Sequence, residues 1–216
     1  GNDTLLGGGG NDILHGGNKA GQPFDDGAGD DTLDGGLGDD ELYGGIGNDT
    51  LIATQGSDLA HGGDDMDVAV IHDNGGAPVD IGDFNFSGFD ATDGIDGDTI
   101  VVDGRTVTLT EIEVLQVANT GSSTFIVRDG MSIQDAIDAA SAGDTILIGA
   151  GVYVENLTVD KALSFVATGV VSIEPASGTA ILIAPGIAGD VSFDGIALDG
   201  NGAAGIGIDV EAEQAH

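Results

Sequence analysis

Over the first seventy positions the apolar residues recur with a period of nine. Residues 7–15 read GGGGNDILH, 26–34 DGAGDDTLD, 35–43 GGLGDDELY and 44–52 GGIGNDTLI. The shared pattern is G-G-x-G-x-D-x-L-x. The opening GNDTLL is the end of another copy, and 53–61 (ATQGSDLAH) and 62–70 (GGDDMDVAV) are worn ones. Residues 16–25 (GGNKAGQPFD) read as a ten-residue copy that lacks the aspartate. The leucine at position eight alternates with polar neighbours, as in a short strand with one buried face. A single unit cannot bury its own leucine. Stacked units can, and their turns then align in two rows.

The period fades after Val70. Residues 73–98 are rich in Asp, Gly and Pro and read as loop, with Phe84, Phe86 and Phe89 as a local packing cluster. Residues 99–102 and 105–109 pattern as a hairpin around Asp103-Gly104, and Val107 and Leu109 alternate with threonines. Residues 111–117 (EIEVLQV) read as a further strand. From about Thr124 glycine thins out and Ile, Val and Ala rise. Ser132 is placed to cap a short helix over 132–142, with Ile133, Ala136, Ile137 and Ala140 on one face and Gly143 at its end. Short apolar runs follow at 145–148, 152–159, 163–166, 171–173, 180–183, 191–198 and 206–210. Evenly spaced short strands of this kind belong to a solenoid or an all-β barrel. Three regions result: 1–70, 71–124 and 125–216.

Charge changes the picture. The 216 residues include 38 acids and four bases, a net charge of −34. That balance excludes nucleic acid and anionic membrane surfaces as partners, since both would be repelled. No apolar run reaches a membrane-spanning length of about 18 residues. The absence of cysteine excludes disulfides and thiolate metal or redox sites. Residues 1–70 hold 15 of the acids against Lys19 alone. A compact fold there needs cations. The chain opens without methionine and ends in a polar stretch, and both ends read as cut from a longer protein.

The repeat supplies suitable chemistry. Position six offers a hard carboxylate oxygen, and the glycines at one, two and four let backbone carbonyls turn toward an ion. In this the repeat resembles RTX (hemolysin-type) calcium-binding nonapeptides. That family implies a parallel β-roll, two nonapeptides per coil, with calcium between turns one coil apart. Carried over, the ligands are Asp3, Asp12, Asp31, Asp40, Asp49, Asp58 and Asp67, with carbonyls near Gly8, Gly10, Gly27, Gly29, Gly36, Gly38, Gly45 and Gly47. One row would hold Asp12, Asp31, Asp49 and Asp67, and the other Asp3, Asp40 and Asp58. The second row would be interrupted at 16–25. The best sites fall between Asp31 and Asp49 and between Asp40 and Asp58. Asn11, Asp30, Asp39 and Asn48, at position five, are expected to bond the turn backbone and not an ion.

Residues 71–124 resemble the capping segment found after RTX blocks. The stretch SIQDAIDAASAGDTILIGAGVYVENLTVDKALSFVATG resembles the entry of a pectin lyase-like right-handed parallel β-helix, whose first coil is capped by an amphipathic helix. The expected fold is all-β: an RTX parallel β-roll joined through a β-rich cap to the opening coils of that β-helix. Only Arg128 and Lys161 are basic after residue 110. Glu155, Asp160, Glu174, Asp190, Asp194, Asp199 and Asp209 read as solvated turn residues, and no catalytic set emerges. His15, His61, His72 and His216 form no metal-spaced pair. The resemblance implies a calcium-binding structural segment of a secreted bacterial protein, exported by a type I system and folding on several calcium ions outside the cell. The alternatives are part of a polysaccharide lyase or uronate epimerase, or of a surface adhesin, with polysaccharide or a cell surface as partner.

Overall fold

The computed structural model describes residues 1–17, 28–72, 98–102, 104–118, 122–128, 130–199 and 207–210. Phe84, Phe86, Phe89, Gly27, Lys19 and His216 lie outside them. The chain divides into two compact units, Gly1–Thr120 and Gly121–His216.

In the first unit, strands β1 (Thr4–Gly9), β3 (Thr32–Leu37), β5 (Thr50–Ala53), β7 (Val68–His72) and β10 (Val114–Ala118) form one parallel sheet. Strands β2 (Ile13–His15), β4 (Glu41–Ile46), β6 (Leu59–Asp64) and β9 (Arg105–Thr110) form a second. Strand β8 (Asp98–Val102) closes that sheet, antiparallel to β9. Each nonapeptide is one strand and one turn, and successive copies alternate between the sheets. Position eight points between them: Leu33, Leu42 and Leu51 are fully buried, with Ala60 and Ala69 in the worn copies. Each buried leucine contributes about 1.5–3 kcal/mol of apolar transfer. This is the parallel β-roll that the RTX resemblance implies.

The register corrects one expectation. Strand β3 stacks on β5 as Leu33↔Leu51 and β4 on β6 as Leu42↔Ala60, the 18 residues of two nonapeptides. Strand β1 stacks on β3 as Leu5↔Leu33, and β2 on β4 as Leu14↔Leu42, at 28. The excess is 28 − 18 = 10 residues. Gly16 and Gly17 still pair at the longer spacing, donating to the Tyr43 and Gly44 carbonyls, whereas Gly29 donates to Ile46 at the shorter one. The extra ten residues therefore fall between Gly17 and Ala28, inside one turn. Gly16, Gly17, Ala28, Gly29, Asp30 and Asp31 together make a GGxGxD turn, and 16–25 is no separate copy.

Strand β10 starts three residues later than the expected 111–117 strand, because Glu111 takes a left-handed backbone conformation (φ 50°) that breaks the extended run. The hairpin is as expected, with Ile100, Val102, Val107 and Leu109 buried.

The described residues of the second unit form a parallel β-helix, with no closed barrel among them. Strands β11 (Ser123–Val127), β12 (Thr145–Ile148), β15 (Ser164–Ile173) and β17 (Ser192–Leu198) stack in parallel, and β13 (Gly151–Tyr153) pairs with the end of β15. Strands β14 (Leu157–Val159), β16 (Ile181–Ile183) and β18 (Ile208–Val210) make another parallel face. The runs 163–166 and 171–173 are one strand, bent by an irregularity between Val166 and Val171. The run 152–159 is two strands, β13 and β14. Phe165 and Phe193 stack face to face at 4.7 Å on adjacent strands.

Helix α1 (Ile133–Ala139) begins at Ser132, whose hydroxyl accepts the Asp135 N–H. Ile133, Ala136, Ile137 and Ala140 are buried as the spacing required. The helix ends at Ala139 and not at Gly143, because Ala140 is already extended. Glu155 is not a solvated turn residue: its carboxylate accepts the Ile133 and Gln134 N–H groups and the Ser132 hydroxyl. It thus satisfies helix donors that have no partner within the helix.

Candidate metal centre

The glycine turns place the position-six aspartates in two files along the roll. In one file the Asp3 N–H donates to Asp31 Oδ1 (2.7 Å), Asp31 N–H to Asp49 Oδ1 (2.7 Å) and Asp49 N–H to Asp67 Oδ1 (2.8 Å). In the other, Asp12 N–H donates to Asp40 Oδ1 (2.8 Å) and Asp40 N–H to Asp58 Oδ1 (3.0 Å). The pairs expected to form the best sites, Asp31 with Asp49 and Asp40 with Asp58, are therefore direct neighbours. Asp3 and Asp12 exchange rows relative to expectation, and the row through Asp40 and Asp58 has no gap. Both corrections follow from the ten residues inside one turn, which add no half-coil of their own, so that Asp12 and Asp31 lie half a coil apart and not a whole one.

One oxygen of each carboxylate is thus accounted for. The second, Oδ2, is buried and has no hydrogen-bond partner in Asp12, Asp31, Asp40, Asp49, Asp58 and Asp67. In Asp12, Asp31, Asp40, Asp49 and Asp67 this oxygen faces the first glycine of its own turn, Gly7, Gly16, Gly35, Gly44 and Gly62. A methyl group placed on Gly16 would lie 2.6 Å from Asp31 Oδ2 and 2.8 Å from the Gly44 carbonyl oxygen. One placed on Gly44 would lie against Asp49 Oδ2 and 2.7 Å from the Gly62 carbonyl oxygen. On Gly7 it would lie 2.9 Å from Asp12 Oδ2 and 2.5 Å from the Gly35 carbonyl oxygen. These spaces exist because the first glycine lacks a Cβ, and the polar atoms closest to them are acceptors. A buried carboxylate oxygen beside a carbonyl, with no donor between them, is a site for a cation or a proton.

The electrostatics agree. Burial pushes the Asp49 carboxyl up to about 6, with Asp31, Asp30 and Asp65 adding repulsion and the Asp31 N–H opposing it. Asp58 is also raised to about 6 by burial; its bond to the Asp40 N–H and the charge of Arg105 pull it down. Asp67 is pushed furthest, to about 8, by burial and by Asp49, Glu113 and Asp65. Among the described residues no three His, Asp or Glu side chains converge on one point. A cation here must take much of its shell from backbone oxygens, which suits a hard ion such as calcium.

The carbonyls of Gly8, Gly10, Gly29 and Gly38 face the same-position glycine of the next coil: Gly36, Gly38, Gly47 and Gly56. Gly36, Gly38, Gly47 and Gly56 have positive φ, between 90° and 128°. The carbonyls of Gly35, Gly44 and Gly62, beside the aspartate oxygens, belong to position one, which the sequence pattern includes but whose residues were not among the named carbonyls. The position-five side chains bond backbone, as expected, but on the following coil: Asp30 Oδ1 accepts Asn48 N–H (3.0 Å), and Asp39 Oδ1 accepts Ser57 N–H (2.8 Å). Arg105 was missed altogether. Its guanidinium donates to the carbonyls of Thr54 (2.5 Å) and His72, a fixed cation at the one turn where Ala53 and Thr54 replace the paired glycines.

Residues 1–18, 24–51 and 43–68 match the family model of the RTX calcium-binding nonapeptide repeat (4 copies). No curated protein and no solved structure matches the chain. The N-terminal region therefore carries RTX calcium-binding repeats, and the interruption at 19–23 falls within the ten extra residues.

In the second unit, Lys161 donates to the Ile137 carbonyl at the helix end (2.9 Å) and lies 3.3 Å from Asp160. Both contacts give it a structural role.

Proposed function

We propose that this chain is a calcium-assembled structural segment of a secreted bacterial protein, with residues 1–70 holding the ions, 71–124 capping the roll and 125–216 opening a β-helix. The observation that carries this reading is the set of six buried Oδ2 atoms, each without a donor. Asp12, Asp31, Asp40, Asp49, Asp58 and Asp67 are the carboxylate ligands, and the position-one carbonyls of Gly35, Gly44 and Gly62 stand beside Asp12, Asp31 and Asp49. Bound calcium supplies the divalent charge that these oxygens lack.

The chain's own residues do the rest. The leucines close the core, but their burial brings the aspartate files into register and concentrates like charge. Without a cation that repulsion opposes stacking, so folding and ion uptake are one equilibrium. Extracellular calcium modules bind at about 10⁻⁴–10⁻³ M, which keeps the chain open where calcium is scarce and folded where it is abundant. This suits export as an unfolded chain.

Far-UV circular dichroism of the full chain in chelator and in millimolar calcium tests the reading. Strand signal is expected to rise on calcium addition and to reverse on chelation. A strand signal already complete in chelator and unchanged by calcium would overturn it.

A further inference from the structure

The family match ends at residue 68, yet the aspartate file does not stop at Asp67. Strand β10 stacks on β7 as Val114↔Val68. One step before that pair, Asp67 meets Glu113. The Asp67 N–H donates to Glu113 Oε2 (2.7 Å), just as Asp49 N–H donates to Asp67 Oδ1. Val114 N–H donates to the Asp67 carbonyl (3.0 Å), as Val68 N–H does to that of Asp49. The Glu111 carbonyl oxygen lies beside Gly62 together with Asp67 Oδ2, in the relation that the Gly62 carbonyl has to Gly44 and Asp49 Oδ2.

Three residues, Glu111-Ile112-Glu113, thus reproduce the contacts of a six-residue glycine turn. Glu111 takes the position-one role through its carbonyl, with a left-handed φ of 50° that the position-one glycines Gly35, Gly44 and Gly62 do not share. Glu113 takes the position-six role, its extra methylene compensating for the shorter turn. Asp67 is 0 % exposed, and its Oδ2, without a hydrogen-bond partner, points into this space.

We propose that Asp67, Glu113 and the Glu111 carbonyl form a terminal calcium site that no nonapeptide encodes, and that ion uptake there fastens β10 to the end of the roll. The proposal rests on the reading of the repeats as calcium sites. It differs from it in placing ligands in the cap and in making cap docking calcium-dependent.

The test is calcium titration calorimetry of the full chain, with hydrogen exchange read at the β10 amides. Glu113→Gln keeps an oxygen for the Asp67 N–H but loses the charge. It is expected to bind one ion fewer than wild type and to lose calcium-dependent protection of β10 while β3 and β5 keep theirs. Glu111→Gln, which leaves the carbonyl in place, is expected to keep the full count. If wild type binds calcium and Glu113→Gln shows the same count and the same β10 protection, this inference alone is overturned. A wild-type chain that takes up no calcium overturns the underlying reading and this one with it.

Discussion

Replacing Asp49 by Asn separates the two consequences of an orphaned carboxylate oxygen. The amide keeps an oxygen for the Asp31 N–H and puts an NH₂ donor where Oδ2 faced the Gly62 carbonyl. Without calcium this is a gain. A carboxyl held at about 6 instead of its usual 3.8 carries about two pKa units, or roughly 3 kcal/mol of ionisation cost in the folded state above pH 7. The variant removes that cost. With calcium it is a loss, because a ligand charge is gone. An ion at a hundredfold its dissociation constant contributes about 2.7 kcal/mol, and the variant forgoes that at this site. The two magnitudes nearly cancel. Asp49→Asn should therefore be the more stable protein in chelator and about equal to wild type near a hundredfold Kd, with wild type ahead only at higher calcium. Urea unfolding followed by circular dichroism, repeated from chelator to tens of millimolar calcium, reads both limits. A variant less stable than wild type in chelator would refute the reasoning, since it would mean that Oδ2 is already satisfied without a cation.

Two further outcomes follow from the register and from the buried carboxyls. Deleting residues 18–27 joins Gly17 to Ala28 and regenerates an unbroken GGxGxD turn; the roll should keep its calcium count and gain about 1–2 kcal/mol from a shorter loop, measured by unfolding in calcium, and a collapse of folding would show that the extra residues are not a turn insertion. Acidification should act oppositely on the two forms of the chain. Asp49, Asp58 and Asp67 bind protons more tightly folded than unfolded, so the metal-free fold loses stability as pH rises from about 4 through 6 to 8 and recovers it on return to pH 5. Calcium uptake should in turn weaken below pH 6, where a proton competes with the ion for these buried carboxyls. Dichroism against pH in chelator and calcium titration at pH 7 and pH 5 measure the two effects.

What could be read in advance, and what could not, divides along a physical line. Period is a local property. Leu42 and Asp40 declare their core-facing and turn positions through neighbours within nine residues, and Ile133, Ala136, Ile137 and Ala140 declare a helix face in the same way. Register is not local. Which coil lies on which depends on where extra residues enter, and a glycine-rich insertion inside a turn has the composition of a worn repeat. Counting copies therefore placed Asp3 and Asp12 in the wrong files, although each was correctly read as a position-six residue. Arg105 and Glu155 carried no local mark at all, since their partners lie about 50 and 22 residues away.

The same division explains why the end of the aspartate file was invisible. In the repeats, glycine backbone freedom and aspartate chemistry travel together in one motif, so fold and site are written by the same letters. At Glu111-Ile112-Glu113 they are uncoupled. A glutamate carbonyl stands in for that of the position-one glycine, and a longer side chain stands in for three missing residues. Only the stacking of β10 on β7 gives those residues their meaning. A solenoid imposes its cross-section on whatever chain adds the next coil. Its last rung therefore follows the donors and acceptors left open by the coil beneath it, and not the repeat from which that coil was built.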